Sequence, residues 1–232
     1  MIESILQENL EVKIKQDSKN PNKYEIIISP LYPGYGNTIA NSLRRILLSS
    51  LEGAAVTSVK IRGVDHEFST IDGIKEDVLS ILLNLKNLRV KLLSNDPQKL
   101  ILSVSGKKEV KAKDFQKNPM VEIINKDLKI ATLTSKDSSL DMEIKIEKGR
   151  GYVPTEQRGE ETEIGVIPID AIFTPILDVG YKIEDVRVKD RTDFNKIIMN
   201  IETDGTIDGK TAITQAIEIL INHFQKIKKS LK

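Results

Sequence analysis

The chain has 232 residues, of which 30% are charged, with 35 Lys and Arg against 34 Asp and Glu. That length suits one large domain or two intertwined lobes, and the near-zero net charge argues against a dedicated nucleic-acid-binding domain, which carries a basic excess on one face. Cysteine is absent, which excludes a disulfide framework and thiolate chemistry and fits a reducing compartment.

The start, Met1-Ile2-Glu3-Ser4, has no basic region followed by an apolar run, so no signal peptide is expected. No stretch of about 18 apolar residues occurs, so no membrane span is expected either. Leu10 to Lys15 alternates apolar and polar residues, the pattern of a half-buried strand. A polar turn from Asp17 to Asn22 leads to a second strand, Tyr24 to Ile28, and the two predict a hairpin. Pro33-Gly34-Tyr35-Gly36 is a turn, after which Asn37 or Thr38 is placed to cap a helix. Ile39, Leu43, Ile46, Leu47 and Leu51 form one apolar stripe at helical period, with Arg44 and Arg45 between its positions. Gly53 is suited to the cap at the end of that helix.

Val56, Val59 and Ile61 open a strand. The segment from His66 to Gly73 is turn-rich, with Asp72 as a cap for a helix whose face is Ile74, Val78, Ile81, Leu82 and Leu85. Leu88 to Leu93 and Leu100 to Ser105 read as paired strands about the Asp96-Pro97 turn. Shorter strands are expected at Glu109 to Lys113, Val121 to Ile124, Lys129 to Leu133 and Leu140 to Glu147. Thr155 to Glu163 reads as a loop or short helix, and Ile164 to Ile169 as a strand. Ile176 to Lys189 and Phe194 to Thr203 are long strands around a turn. The final helix starts near Asp208 or Thr211, with apolar positions Ile213, Ala216, Ile217, Leu220, Ile221, Phe224, Ile227 and Leu231. The pattern leaves open whether this stripe packs within one lobe or joins two subunits. The order of elements predicts an α+β fold in which the first hairpin and helix join the last strands and helix, around an inserted middle.

Enzyme signatures are missing: there is no P-loop, no G-x-S-x-G and no H-E-x-x-H. His66 and His223 stand far apart without a second ligand at metal spacing and read as structural. Glu160-Glu161 reads as a solvated face. No cluster of aspartates suits two-metal nucleotidyl transfer, so no catalytic residue, metal or cofactor is assigned. Gly149-Arg150-Gly151 reads as a strand-end turn, and Tyr152-Val153-Pro154 as packing at the strand exit.

Several stretches stand in a telling order. The Gly34-Tyr35-Gly36 turn precedes Asn41 to Ser50, which reads NSLRRILLSS. His66 to Ser69 (HEFS), Glu76 to Lys86 (EDVLSILLNLK) and Gly149 to Pro154 (GRGYVP) follow, then Arg191-Thr192-Asp193 and Asp204-Gly205-Thr206-Ile207. Together they resemble the amino-terminal domain of the bacterial-type RNA polymerase alpha-subunit family over nearly the whole chain.

The resemblance implies a discontinuous dimerisation lobe, 1–52 with 175–232, and an inserted mostly β lobe, 53–174. It implies a homodimer built on the first and last helices, through Ile39, Leu43, Ile46, Leu47, Ile213, Ile217, Leu220, Phe224 and Ile227. It places Arg45 and Leu48 against the beta subunit, and Lys86 and Ile169 against beta prime, with omega in the same complex. The implied role is an assembly scaffold for transcription in a bacterial or organellar cytoplasm, itself non-catalytic within a nucleotidyltransferase complex. The family's separate DNA-binding domain, carried beyond a linker, is not among these residues, so DNA is reached only through the complex or that domain. The alternative, a free-standing nucleic-acid-binding module, is disfavoured by the balanced charge and by an aromatic content of 4%.

Overall fold

A computed structural model describes residues 10–159 and 163–231. The expectations for Met1 to Ser4 and for Glu160-Glu161 lie outside the described residues. In chain order, β1 (Glu11–Gln16) and β2 (Lys23–Leu31) lead to α1 (Tyr35–Ser49), then β3 (Glu52–Ile61) and α2 (Val78–Lys86). Next come β4 (Val90–Leu92), β5 (Gln98–Ser105), β6 (Lys108–Lys111), β7 (Val121–Ile123), β8 (Lys129–Leu133) and β9 (Ser139–Arg150). The short β10 (Tyr152–Val153), β11 (Val166–Pro168) and β12 (Ala171–Ile172) precede the long β13 (Ile176–Val188), β14 (Arg191–Thr203) and α3 (Gly209–Ser230). The architecture is α+β, divided into one unit of Met1–Leu51 with Pro175–Lys232 and a second of Glu52–Thr174.

The first unit is an antiparallel sheet in the order β1-β2-β14-β13. An early and a late strand meet in its centre, where Ile27 of β2 lies opposite Ile198 of β14. Ile26 and Ile28 alternate on β2, as do Ile197, Met199 and Ile201 on β14, so each set lines one sheet face. They form one core with Ala40, Leu43 and Leu47 of α1 and Ala212, Ile213 and Ala216 of α3. The start of α3 approaches the sheet so closely that a Cβ on Gly209 would come within 2.4 Å of the Tyr24 ring.

Helix α1 departs from its expected caps. Neither Asn37 nor Thr38 caps it: the helix begins at Tyr35, after Gly34 in a left-handed conformation (φ 84°), without a cap from its own side chains. Asn195 of β14 supplies the missing acceptor, its Oδ1 taking the N–H groups of Gly34 (2.9 Å) and Gly36 (3.2 Å). At the other end the Ser50 N–H bonds to the Ile46 carbonyl, and Gly53 is no cap but a residue of β3 opposite Gly149. Helix α3 follows expectation, since Asp208 accepts from the Thr211 N–H at 2.9 Å and from its hydroxyl at 2.6 Å. Those bonds to Thr211 hold the Asp208 carboxyl below its ordinary pKa.

The second unit carries a four-stranded antiparallel sheet in the order β11-β3-β9-β5. Its core joins Val56 and Val59 of β3, Ile144 and Ile146 of β9, and Ile81 and Leu85 of α2. The cap of α2 is Asp77, whose carboxylate accepts from the Ser80 N–H at 2.8 Å, and not Asp72. The expected pairing about Asp96-Pro97 is also corrected. Val90–Leu92 pairs with Val121–Ile123, while Gln98–Ser105 pairs with Ser139–Arg150. The β9 strand ends at Arg150, and Gly151 turns the chain with φ 64°.

Candidate functional site

In the first unit the candidate surface is the outward side of α1 and α3. Three residues expected at a subunit interface, Leu43, Leu47 and Ile213, are instead interior, because the sheet of their own chain covers them. Ile39, Ile46 and Leu220 are half-buried at the margin of the same core. The rest of the α3 stripe is uncovered: Ile217 is 40% exposed, Ile221 47%, Phe224 65% and Ile227 58%. Every residue from Ile221 to Leu231 is exposed. At 1.5 Å per residue this leaves about 15 Å of amphipathic helix with no partner in its own chain. Lys228 and Lys229 in the last turn complement the helix dipole.

On α1, Arg44 and Arg45 are both exposed, and Leu48, three residues after Arg45, is 36% exposed. Residues three apart share a helix side, so Arg45 and Leu48 present a guanidinium beside an apolar group. Neither arginine has a side-chain hydrogen bond or ion pair among the described residues.

In the second unit, Lys86 closes α2 and lies in a compact polar cluster. Its Nζ is 3.1 Å from Asp170 Oδ2 and 5.4 Å from the centre of the Tyr152 ring. The Tyr152 hydroxyl donates to the same Asp170 oxygen at 3.0 Å, and the Thr155 N–H donates to Oδ1 at 3.0 Å. Burial pushes the Asp170 carboxyl up, but the Thr155 amide, Lys86 and Tyr152 outweigh it, so it titrates below its ordinary value. The hydrogen bond to Asp170 in turn raises the Tyr152 phenol.

Ile169, expected to face a partner, is buried in the core, its N–H bonded to the Thr57 carbonyl at 2.8 Å. Its carbonyl accepts from Arg158, which also reaches Thr57. The neighbouring Asp170 is therefore the residue of this segment that meets the surface polar cluster. Sequence reasoning read Tyr152 as packing at the strand exit, whereas its ring is largely exposed and its hydroxyl meets Asp170; Asp170 itself was not singled out, and nothing local marks it.

The two histidines have local partners. His66 Nδ1 lies 3.2 Å from the Ser69 hydroxyl, and His223 Nδ1 2.8 Å from the Ile219 carbonyl. Among the described residues no helix is long and apolar enough to cross a membrane.

The fold and these surfaces define an α+β protein with an uncovered apolar helix face and a pair of exposed arginines without ionic partners among the described residues. The model of the RNA polymerase Rpb3/RpoA insert domain family matches residues 59–174. Over longer stretches the chain is similar to proteins named DNA-directed RNA polymerase subunit alpha. The relative from Hydrogenobaculum sp. (strain Y04AAS1) is 44% identical over 93% of this chain and 68% of its own length. That from Roseiflexus sp. (strain RS-1) is 44% identical over 93% and 66%, and one from Thermus thermophilus is 49% identical over 86% and 64%. The chain belongs to the family of DNA-directed RNA polymerase alpha subunits. It spans about two thirds of the length of these relatives.

Proposed function

We propose that the chain is an assembly scaffold of a DNA-directed RNA polymerase and itself performs no catalysis. The observation that carries this reading is the uncovered half of α3, in a chain that belongs to the alpha-subunit family. An amphipathic helix face of this length does not stay in water when a matching surface is at hand. Two copies join through α1 and α3, using Ile217, Ile221, Phe224 and Ile227 with the half-buried Ile39, Ile46 and Leu220. Leu43, Leu47 and Ile213 support that surface from within. The unit of 1–52 with 175–232 thus acts as the dimerisation lobe and 53–174 as the inserted lobe.

The dimer then recruits the two large subunits. Arg45 and Leu48 form the contact for beta; a planar guanidinium with five donors suits a partner's carboxylate or carbonyls. Lys86, held by Asp170 and stacked near Tyr152, forms the contact for beta prime, with omega in the same complex. The setting is the cytoplasm. Light scattering on the purified chain tests the first step. A mass twice the 26.0 kDa of the chain is expected at micromolar concentration, and a monomer there would overturn the reading. Co-purification of beta and beta prime with the tagged chain tests the second.

A further inference from the structure

We infer that a cleft beside the Ala112–Asp114 turn of the second unit binds an acidic peptide segment of a partner protein, anchored by an aromatic or leucine side chain. The cleft has a volume of about 590 Å³, within the roughly 300–1,000 Å³ of small-ligand sites. Its floor is apolar: Leu100 and Phe115 are buried, and Val121 and Ile123 are half-buried. Its walls are fixed by backbone bonds. The Lys113 N–H reaches the Lys126 carbonyl at 2.9 Å, and the Gln116 N–H reaches the Ile101 carbonyl at 2.8 Å. Asn118 ties the far wall, its amide donating to the Lys99 carbonyl at 3.2 Å.

The rim supplies the second half of the argument. Lys113, Lys117 and Lys126 line the cleft and are exposed, and none lies in an ion pair among the described residues, although Lys113 helps Lys108 hold the Asp114 carboxyl down. Nearby lysines differ: Lys108 pairs with Asp114 at 2.7 Å, and Lys111 lies within 3.5 Å of Glu109. Glu122 is the one carboxylate among the lining residues. Three cations above an apolar floor complement a ligand with one apolar anchor and several carboxylates. A linear peptide carries that combination, whereas a simple fatty acid offers a single carboxylate. This site shares no residue with the surfaces assigned above to dimerisation, beta or beta prime.

The probe is a fluorescein-labelled peptide, Asp-Glu-Phe-Leu-Asp-Glu, titrated with the full 232-residue chain and followed by anisotropy. Saturable binding that weakens as salt is raised is expected. The Lys117→Glu/Lys126→Glu double variant should bind about tenfold more weakly or worse. Both sites are exposed, and an unchanged circular dichroism spectrum checks the fold. A peptide with Ser-Ser in place of Phe-Leu should lose a similar factor. In methyl NMR the Ile123 signal should shift on binding. Absence of saturation, full binding by the double variant, or equal binding of the Ser-Ser peptide overturns the proposal. So does decanoate occupying the cleft, or a rise in oligomer size abolished by the double variant, where the acidic peptide fails to bind.

Discussion

Asn195 anchors Gly36 across the first unit, its side-chain oxygen accepting the Gly36 N–H at 3.2 Å while also holding Gly34. A residue of the second-last element thus does for α1 what a capping side chain of the helix would otherwise do. Asn195→Ala should lower stability by about 1–2 kcal/mol, the usual cost of a lost helix cap. Gly36→Leu should also destabilise, since a Cβ alone would already meet Asn195 and Ile183 at 3.1 Å and the larger side chain has no room beyond it. Denaturant unfolding at one fixed protein concentration measures both. An Asn195→Ala variant as stable as the parent would remove the capping role.

For dimerisation, the exposed and interior parts of the stripe should behave differently. Phe224→Glu, at a position 65% exposed, should leave a folded chain of monomer mass. Ile213→Ala, in the core, should instead cost about 2–5 kcal/mol of stability. Light scattering with circular dichroism separates the two results. A Phe224→Glu chain that stays dimeric would take this part of α3 out of the interface.

Arg45→Ala should keep both fold and dimer, because the side chain has no partner among the described residues. Arginine is frequent among residues that dominate interface energy, where truncation costs ~2–4 kcal/mol. Capture of beta should weaken roughly 30- to 1,000-fold on that scale. Pull-down with the folded variant reads this directly, and undiminished capture would sink the assignment.

Acidification tests the Lys86 cluster. The folded chain holds the Asp170 carboxyl below its ordinary value, so the charged group adds stability at pH values above the unfolded pKa. That contribution disappears as the pH falls through the lowered folded value. Asp170→Asn should therefore be less stable than the parent by about 0.5–1 kcal/mol at neutral pH, for a partly solvated pair. The gap should hold down to roughly pH 4 and close only below it. A gap already closed near pH 6 would contradict this. Tyr152→Phe keeps the ring over Lys86 and removes the hydroxyl, so it should lose a smaller amount.

Helical and strand texture was legible along most of the chain; cover and partnership were not. The α3 stripe shows the same spacing at Ile213, which is interior, and at Phe224, which is uncovered, because periodicity reports which face is apolar and nothing about what lies against it. The 90–92 strand was readable, but its partner was not. Asp96-Pro97 signals a turn, yet the ladder of Gln98–Ser105 forms with β9, residues distant in sequence. Capping was misplaced as well. Asp72 was the expected cap of α2, but the helix begins at Val78, and the Asp77 carboxylate accepts from the Ser80 N–H. Asp170 was invisible as the partner of Lys86 and Tyr152 because they reach it only through the fold. The family motif singled out Arg45, Lys86 and Ile169 alike, and only the fold shows that Ile169 is buried while Arg45 is exposed and Lys86 half-buried.

The pairing of β2 with β14 also sets a schedule for synthesis. Ile27 finds its neighbour Ile198 only after the ribosome has made the whole of the unit that lies between them in sequence. The unit of Glu52–Thr174 is contiguous and has its own core, so it is free to fold while the rest is still being translated. The sheet that seats α1 and α3 closes last, with a large loop to bridge. Helix α1 therefore waits without its seat until β13 and β14 have been made, and α3 follows directly onto the completed sheet.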